Sequence, residues 1–574
     1  MQRRKSRSGG GSATEAGIQA LFGHGLRLHQ QGLLPAAKTT YEQVLAGDPR
    51  HFDALHLLGV LNYQLGDPEA AARWFDRAVL LSPNHAGACS NHGLALQDLG
   101  RYVEALASFD RAISLAPHLP EAHFNKGSCL HAQGLFEKAL VSYDRALELN
   151  PVYAKAFGAR GSALQLLGRL QEALTSFDQA LALSPVSAGV LLNRGNVLQI
   201  LGRVDEAIAS FEQAISIDPR LSVAYCNKGH ALMALARMPE ALAAYDQAIS
   251  LRPGYAEALW NKSLALLLMG QLRAAWPLYE WRWLVGNAGN APETFSRPTW
   301  LGSEDIRDRT LFIHAEQGLG DTLQFCRFVK CVKDAGARVI LEVQRPLIGV
   351  LKGLNGVDEL IEQGAPRPDF DFHCPLLSLP LAFKTDLDTI PSRGPYIRSS
   401  QDRLSHWAQR LGDRRGLRVG LVWSGSSSHK RDAERSLNLK DFLSFLPEGP
   451  EYVSLQKEVR PEDVHALASG TVRHFGGDLQ SFADTAALCD LMDLVVTVDT
   501  SVAHLAGAMG KPTWILLSQI PDWRWLLDRS DSPWYQSVSL YRQADRGNWS
   551  PVLAQLAADL GAMVGSGPLL KAYN

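Results

Sequence analysis

At 574 residues, with 46% hydrophobic and 20% charged residues and a formal net charge of −2, the chain is too long for one core and too apolar for a disordered polymer. It also offers no global basic field for nucleic acid. Seven cysteines, at 89, 129, 226, 326, 331, 374 and 489, are odd in number and never spaced C-x-x-C, which excludes a disulfide framework or zinc ribbon and implies a reducing, cytoplasmic setting.

The chain opens with "MQRRKSRSGGGSATEAG", basic and Gly/Ser-rich without a following apolar segment, so residues 1–15 read as a disordered tail and not a leader. No later stretch has the roughly 18 uncharged apolar residues a membrane span requires.

From 16 to 287 the sequence repeats. Proline recurs at 49, 83, 117, 151, 185, 219 and 253, always 34 residues apart. Glycine keeps the same beat at 25, 59, 93, 127, 161, 195 and 229, and a second glycine falls at 32, 66, 100, 134, 168 and 202. A unit such as "AHFNKGSCLHAQGLFEKALVSYDRALELNP" predicts a helical hairpin. Glycine permits close approach of its helices, and proline ends the second because it cannot donate the next backbone hydrogen bond. One hairpin cannot bury its own apolar face, so neighbours must stack into a solenoid with a concave groove. The pattern resembles the tetratricopeptide repeat, with about eight units, the last decayed into "WPLYEWRWLVGN".

Asn91, Asn125, Asn193, Asn227 and Asn261 each precede the glycine position by two residues, with Leu57 and Ala159 interrupting the column. An amide donates and accepts, so a groove lined this way holds a peptide main chain without reading its side chains. The column resembles the asparagine ladder of O-GlcNAc transferases, which implies a protein acceptor in the groove. The alternative is hydrogen bonding within the array. The next position is mostly basic (Lys126, Arg160, Arg194, Lys228, Lys262) and reads as solvated charge.

After a connector, 288–308, short apolar runs alternate with helical patterns: "TLFIHAE", "RVILEV" and "VDELI", then "RVGLVWSG", "YVSLQ", "VRHFG", "DLVVTVD" and "TWILL". Such strands imply parallel sheets covered on both faces. "TDLDTIPSRGPYIRSS" divides them into two lobes, 309–400 and 401–574, an α/β arrangement resembling the GT-B glycosyltransferases with two doubly wound Rossmann-like lobes.

"DLVVTVD" predicts a strand with Asp499 and Thr500 at its carboxyl end, and "SVAHLAGAMG" a helix, capped by Ser501, whose free first-turn N–H groups suit a diphosphate. The segment is similar to the D-T-G-x-x-H-x-A motif of ADP-heptose:lipopolysaccharide heptosyltransferases (glycosyltransferase family 9), with Ser501 in place of glycine and His504 on the motif's histidine. "IHAEQGLGDTLQFCRF" is similar to that family's first strand and glycine-aspartate pair, which implies Gly320 beside the donor and Asp321 as the base. An attacking hydroxyl must lose a proton, and a fixed carboxylate takes it. The other ordinary task of such an aspartate is helix capping.

The same resemblance sets Ser424, Gly425, Arg435 and Ser436 of "SGSSSHKRDAERSLNL", with Lys430 as rival to Arg435, and Lys457 around the leaving diphosphate. It sets Asp484, with Thr485, near the nucleoside. The Trp-rich "PDWRWLLDRSDSPWY" is a candidate wall for the sugar. The acidic triplets at 369–371 and 386–388 lie far from the diphosphate segment, so no metal is expected. Together the resemblances imply an inverting, metal-independent transfer from a nucleotide-sugar to a protein hydroxyl, with flagellin or another surface protein as acceptor by analogy. The rival readings are an adaptor with an inactive C-terminal domain, and a transferase acting on glycolipid or polysaccharide.

Overall fold

The computed structural model describes residues 15–285, 295–391, 394–427 and 431–565; the tail 1–14, Lys430 and part of the connector lie outside them. The chain divides into two compact units, Met1–Ala231 and Leu232–Asn574.

Unit one consists of helical hairpins such as Ala86–Asp98 with Tyr102–Leu115. The recurring first-helix glycines from Gly25 to Gly195 each face a ring of the second helix. A Cβ at Gly93 would stand 2.6 Å from Phe109, and one at Gly195 would stand 2.4 Å from Phe211, so only glycine admits the aromatic. The second glycine makes the turn in the left-handed region, at φ +72° for Gly100. Proline can then follow an extended C-cap, as Pro49 follows Asp48.

Unit two opens with repeat helices Met238–Leu251, Ala256–Leu268 and Leu272–Tyr279. The boundary between the units thus falls inside the repeat segment, and the last repeat helices cluster with the sheets. Two wholly parallel sheets follow. The first comprises β1 (Thr310–His314), β2 (Arg338–Val343), β3 (Glu359–Glu362) and β4 (Phe372–Pro375), in the order β3-β2-β1-β4. The second comprises β5 (Arg418–Val422), β6 (Glu451–Ser454), β7 (Val472–Arg473), β8 (Leu494–Val498), β9 (Thr513–Leu517) and β10 (Val538–Arg542), in the order β10-β9-β8-β5-β6-β7. That is the doubly wound 3-2-1-4-5-6 order, which reverses between β5 and β8. The two strands are buried throughout, and Val419, Leu421, Val496 and Val498 share a core with Leu556 and Leu560 of the final helix, Ser550–Gly565.

Candidate functional site

In an open parallel sheet a ligand meets the carboxyl ends of the strands where the order reverses. In the second sheet this point lies between the end of β5, at Ser424 and Gly425, and the end of β8, at Asp499 and Thr500. Arg435 spans it: Nη1 donates to the Asp499 carbonyl at 2.9 Å, and the guanidinium covers Gly425, where a Cβ would stand 2.4 Å from Nη2. Ser436 accepts the Gly425 N–H at 3.1 Å and donates to Asp432 at 2.9 Å.

Two expected donor residues have other work. Gln456, unnoticed in the sequence, accepts the N–H groups of Trp423 (2.8 Å) and Ser424 (2.9 Å) and donates to the Ser424 hydroxyl at 2.9 Å, so Ser424 is held within the strand ends. Asp484 accepts the N–H groups of Gln480 (3.1 Å) and Ser481 (3.0 Å) at the start of helix Phe482–Asp490, and binds Arg403 (2.9 Å) and Trp407 (3.2 Å). These bonds give it a helix-end and packing role within the chain. Lys457 is exposed just beyond Gln456.

Helix Ser501–Ala508 begins after Thr500, which is its N-cap; Ser501 is the first helical residue and does not cap. The Thr500 side chain makes no capping hydrogen bond to this end. One turn in, His504 Nδ1 pairs with Tyr535 Oη at 3.0 Å and its ring stacks on Trp525. Burial, with help from Arg524, pulls its pKa down to about 3, so the imidazole is neutral.

Helix Leu319–Phe325, which follows β1, meets this end of helix Ser501–Ala508. A Cβ at Gly320 would stand 2.9 Å from His504 Cδ2 and 3.4 Å from Ser501 Cα. Gly320, Asp321, Ser501 and His504, far apart in sequence, thus share one locality. Asp321 accepts the Gly318 N–H at 2.8 Å and forms an ion pair with Arg524. Capping and ion pairing therefore occur together at this carboxylate.

Arg524 escaped the sequence reading. It also donates to Gln324 (2.7 Å) and Asp522 (2.8 Å) and lies 4.3 Å over the Trp523 ring. Its only signal was a cation between two tryptophans. Those tryptophans, with Trp534 and Tyr535, are buried in the core. Asp321 and Asp522, on either side of Arg524, keep 19% and 39% of their side-chain surface open. Burial raises the Asp321 pKa against the pull of Arg524. At Asp522, burial is outweighed by Arg524 and the carboxyl is held below its usual range. Burial and the Asp522 charge push Asp499 up to about 6. Carboxyls of differing proton affinity thus gather around one guanidinium.

In the repeats, the asparagine amides donate inside the array: Asn91 pairs with His56 (3.0 Å), and Asn125, Asn193 and Asn227 donate to Ser90 (3.2 Å), Ser162 (3.3 Å) and Asn196 (2.7 Å). These four side-chain oxygens make no hydrogen bond to the described residues, which leaves the accepting half of each amide available. Asn261 is half-buried on helix Ala256–Leu268. The basic column is not free charge: Lys126, Arg160, Arg194, Lys228 and Lys262 pair with Asp110, Asp144, Asp178, Glu212 and Asp246, each sixteen positions earlier.

The chain carries tetratricopeptide repeats: residues 22–87, 90–154 and 159–221 match one family model described as tetratricopeptide repeat, and 222–255 match a second. Protein FlbA of Caulobacter vibrioides is 27% identical over 317 residues, covering 50% of this chain and 52% of FlbA, so the chain spans about half the length of that curated relative. Among solved structures, YrrB, described as a TPR protein with an unusual peptide-binding site, is 25% identical over 34% of this chain and 100% of its own, with a TM-score of 0.30. PilW, described as a widely conserved type IV pilus biogenesis factor, is 25% identical over 36% of this chain and 96% of its own, with a TM-score of 0.34. Among the described residues no helix is long and apolar enough to cross a membrane.

Proposed function

We propose that the C-terminal part of the chain is a GT-B-type glycosyltransferase that moves a sugar from a nucleotide-sugar to a hydroxyl of a protein segment held by the repeats. The observation that carries this reading is the meeting of Gly320 with Ser501 and His504, which brings Asp321 to the uncapped start of the helix that follows β8. In this reading the diphosphate accepts hydrogen bonds from that helix end, with Arg435 beside it as negative charge develops on the leaving group. Asp321 takes the proton of the attacking hydroxyl. The resulting carboxylic acid stays beside Arg524, ready to lose the proton to solvent.

A thermal-shift screen of nucleoside diphosphates and their sugars tests this directly. A ligand at about 100 times its Kd stabilises the folded state by about 2.7 kcal/mol, so one nucleotide should stand out from the rest. No shift with any of them rejects the proposal. The adaptor reading draws on the partners that Asp321 and Arg435 already have within the chain, and it expects that null result.

A further inference from the structure

The last hairpin departs from the repeat pattern at one buried position. Six successive units place alanine there (Ala78, Ala112, Ala146, Ala180, Ala214, Ala248), each at most 2% exposed. The terminal unit has Arg282, itself only 7% exposed. A buried ion pair is a poor source of net stability compared with an apolar residue of good fit. The replacement of a small apolar residue by arginine therefore needs another reason, and the partners of Arg282 supply one.

Its Nε and Nη2 donate to the two oxygens of Glu316, both at 2.9 Å, while Nη1 binds Glu280 at 2.7 Å and Nη2 binds Ser378 at 2.8 Å. Glu316 also accepts the Leu377 N–H at 3.0 Å. The next residue, Gln317, donates to Tyr279 Oη at 3.2 Å. The residue after that is Gly318, whose N–H binds Asp321. A short turn is a poor platform for a reacting group unless its neighbours fix it, and here the repeat fixes it.

A second route starts six residues earlier. Trp276, fully buried, donates Nε1 to the Thr385 carbonyl at 2.9 Å and sets its ring edgewise on Trp523, centroids 5.7 Å apart. Tyr279 approaches the same ring at 6.3 Å. Trp523 carries Arg524 on its face, and Arg524 pairs with Asp321.

We infer that the terminal repeat is a component of the Asp321 site: Arg282 and Trp276 are positioning residues that hold Asp321 from two sides, through the Glu316–Gly318 turn and through Trp523 and Arg524. Its catalytic consequence rests on the transferase reading above; its structural content does not.

Hydrogen exchange on the full-length chain tests it without any substrate. Arg282→Lys keeps the charge but gives up the two-point hold on Glu316, and Trp276→Phe keeps an aromatic ring but loses the indole N–H. Arg282→Lys should speed exchange in the 315–325 peptide about tenfold while β5 and β8 stay protected. Arg101→Ala, which removes an exposed pair elsewhere in the repeats, should leave that peptide unchanged. Unchanged protection of 315–325 in Arg282→Lys overturns the inference, and so does equal loss across both sheets, which marks a purely structural staple.

Where transfer is measurable, Trp276→Phe should move the acid limb of the kcat/KM profile upward by about half a pH unit, because a less firmly held Arg524 leaves Asp321 easier to protonate. The KM for the nucleotide-sugar should change less than about twofold. An unmoved limb with normal transfer overturns the inference and leaves the transferase reading intact. Absence of transfer in the unmodified chain counts against that reading, and the exchange result then decides the inference alone.

Discussion

Asp321 and Arg524, 203 positions apart in the chain, form an ion pair, and Arg524 serves Asp522 from the same guanidinium. The two partners are therefore unequal. Removing Arg524 strands two carboxylates, whereas removing the Asp321 charge leaves Arg524 with Asp522 and Gln324. Breaking a buried pair from the side that leaves charge behind costs about 3 kcal/mol. Arg524→Gln should lose about that much in denaturant unfolding of the α/β part, and Asp321→Asn clearly less. Equal losses would show that Asp522 gains nothing from Arg524.

Asp499 supplies a pH dependence of definite sign. Its folded-state pKa, about 6, lies above the ordinary aspartate value, so the native state binds the extra proton. Its contribution to stability is complete below about pH 4 and is lost as pH rises through 6. Asp499→Asn removes the charged form and should leave the protein about 2 kcal/mol more stable than the parent at pH 7, with little difference at pH 4. Melting curves across this range decide it; a variant less stable at both ends contradicts the assignment.

The helical repeats were legible because their rules are local: a ring at Phe109 needs glycine at 93, and a left-handed turn needs glycine at 100. Most strands were legible for the same reason. β4 was hidden in "DFDFHCP", whose acids read as a motif; Asp371 accepts the Thr310 N–H at 2.8 Å and helps seat β1. β10, "VSLYR", was masked by the preceding tryptophans. The roles of Arg282 and Arg524 were out of reach, since each is defined by partners 34 to 203 residues away. The capping bonds of Asp484 were equally out of reach, because a helix-capping aspartate and a ligand-binding one look alike in sequence.

Ala236 is where the glycine beat fails: it holds the hairpin turn at φ +59°, the conformation the other turns assign to glycine. A side chain there costs about 1 kcal/mol, partly offset by the greater freedom glycine has when unfolded. Ala236→Gly should therefore stabilise its hairpin by about 0.5 kcal/mol. A raised denaturant midpoint at unchanged slope is the expected result, and a lowered one refutes the strain.

Gly425 separates binding from folding. A methyl there meets only the flexible end of Arg435, so the side chain can move aside and the stability cost should stay below about 1 kcal/mol. The displaced guanidinium would no longer sit over the switch point. Gly425→Ala should therefore weaken binding of the nucleoside diphosphate found by thermal shift about tenfold with almost no change in melting of the free protein. Unchanged affinity, measured by calorimetry, would remove Arg435 from the donor site.

The asparagine and basic columns make opposite predictions although they are adjacent in every unit. Arg194 is engaged by Asp178 at 2.7 Å and by Ser210 at 2.6 Å, so Arg194→Ala should cost under about 1 kcal/mol of stability and leave peptide affinity alone. Asn193 and Asn227 donate within the array but keep an accepting oxygen. The double variant Asn193→Ala/Asn227→Ala should lose about 1 kcal/mol of stability per bond and, if those oxygens grip a main chain, about tenfold in affinity. Because an amide meeting backbone N–H groups ignores side chains, the affinity loss should be uniform over a panel of extended peptides of unrelated sequence, read by fluorescence anisotropy. A loss confined to one sequence would mean that side chains are read instead, and no loss at all would make the ladder a structural feature of the repeats alone.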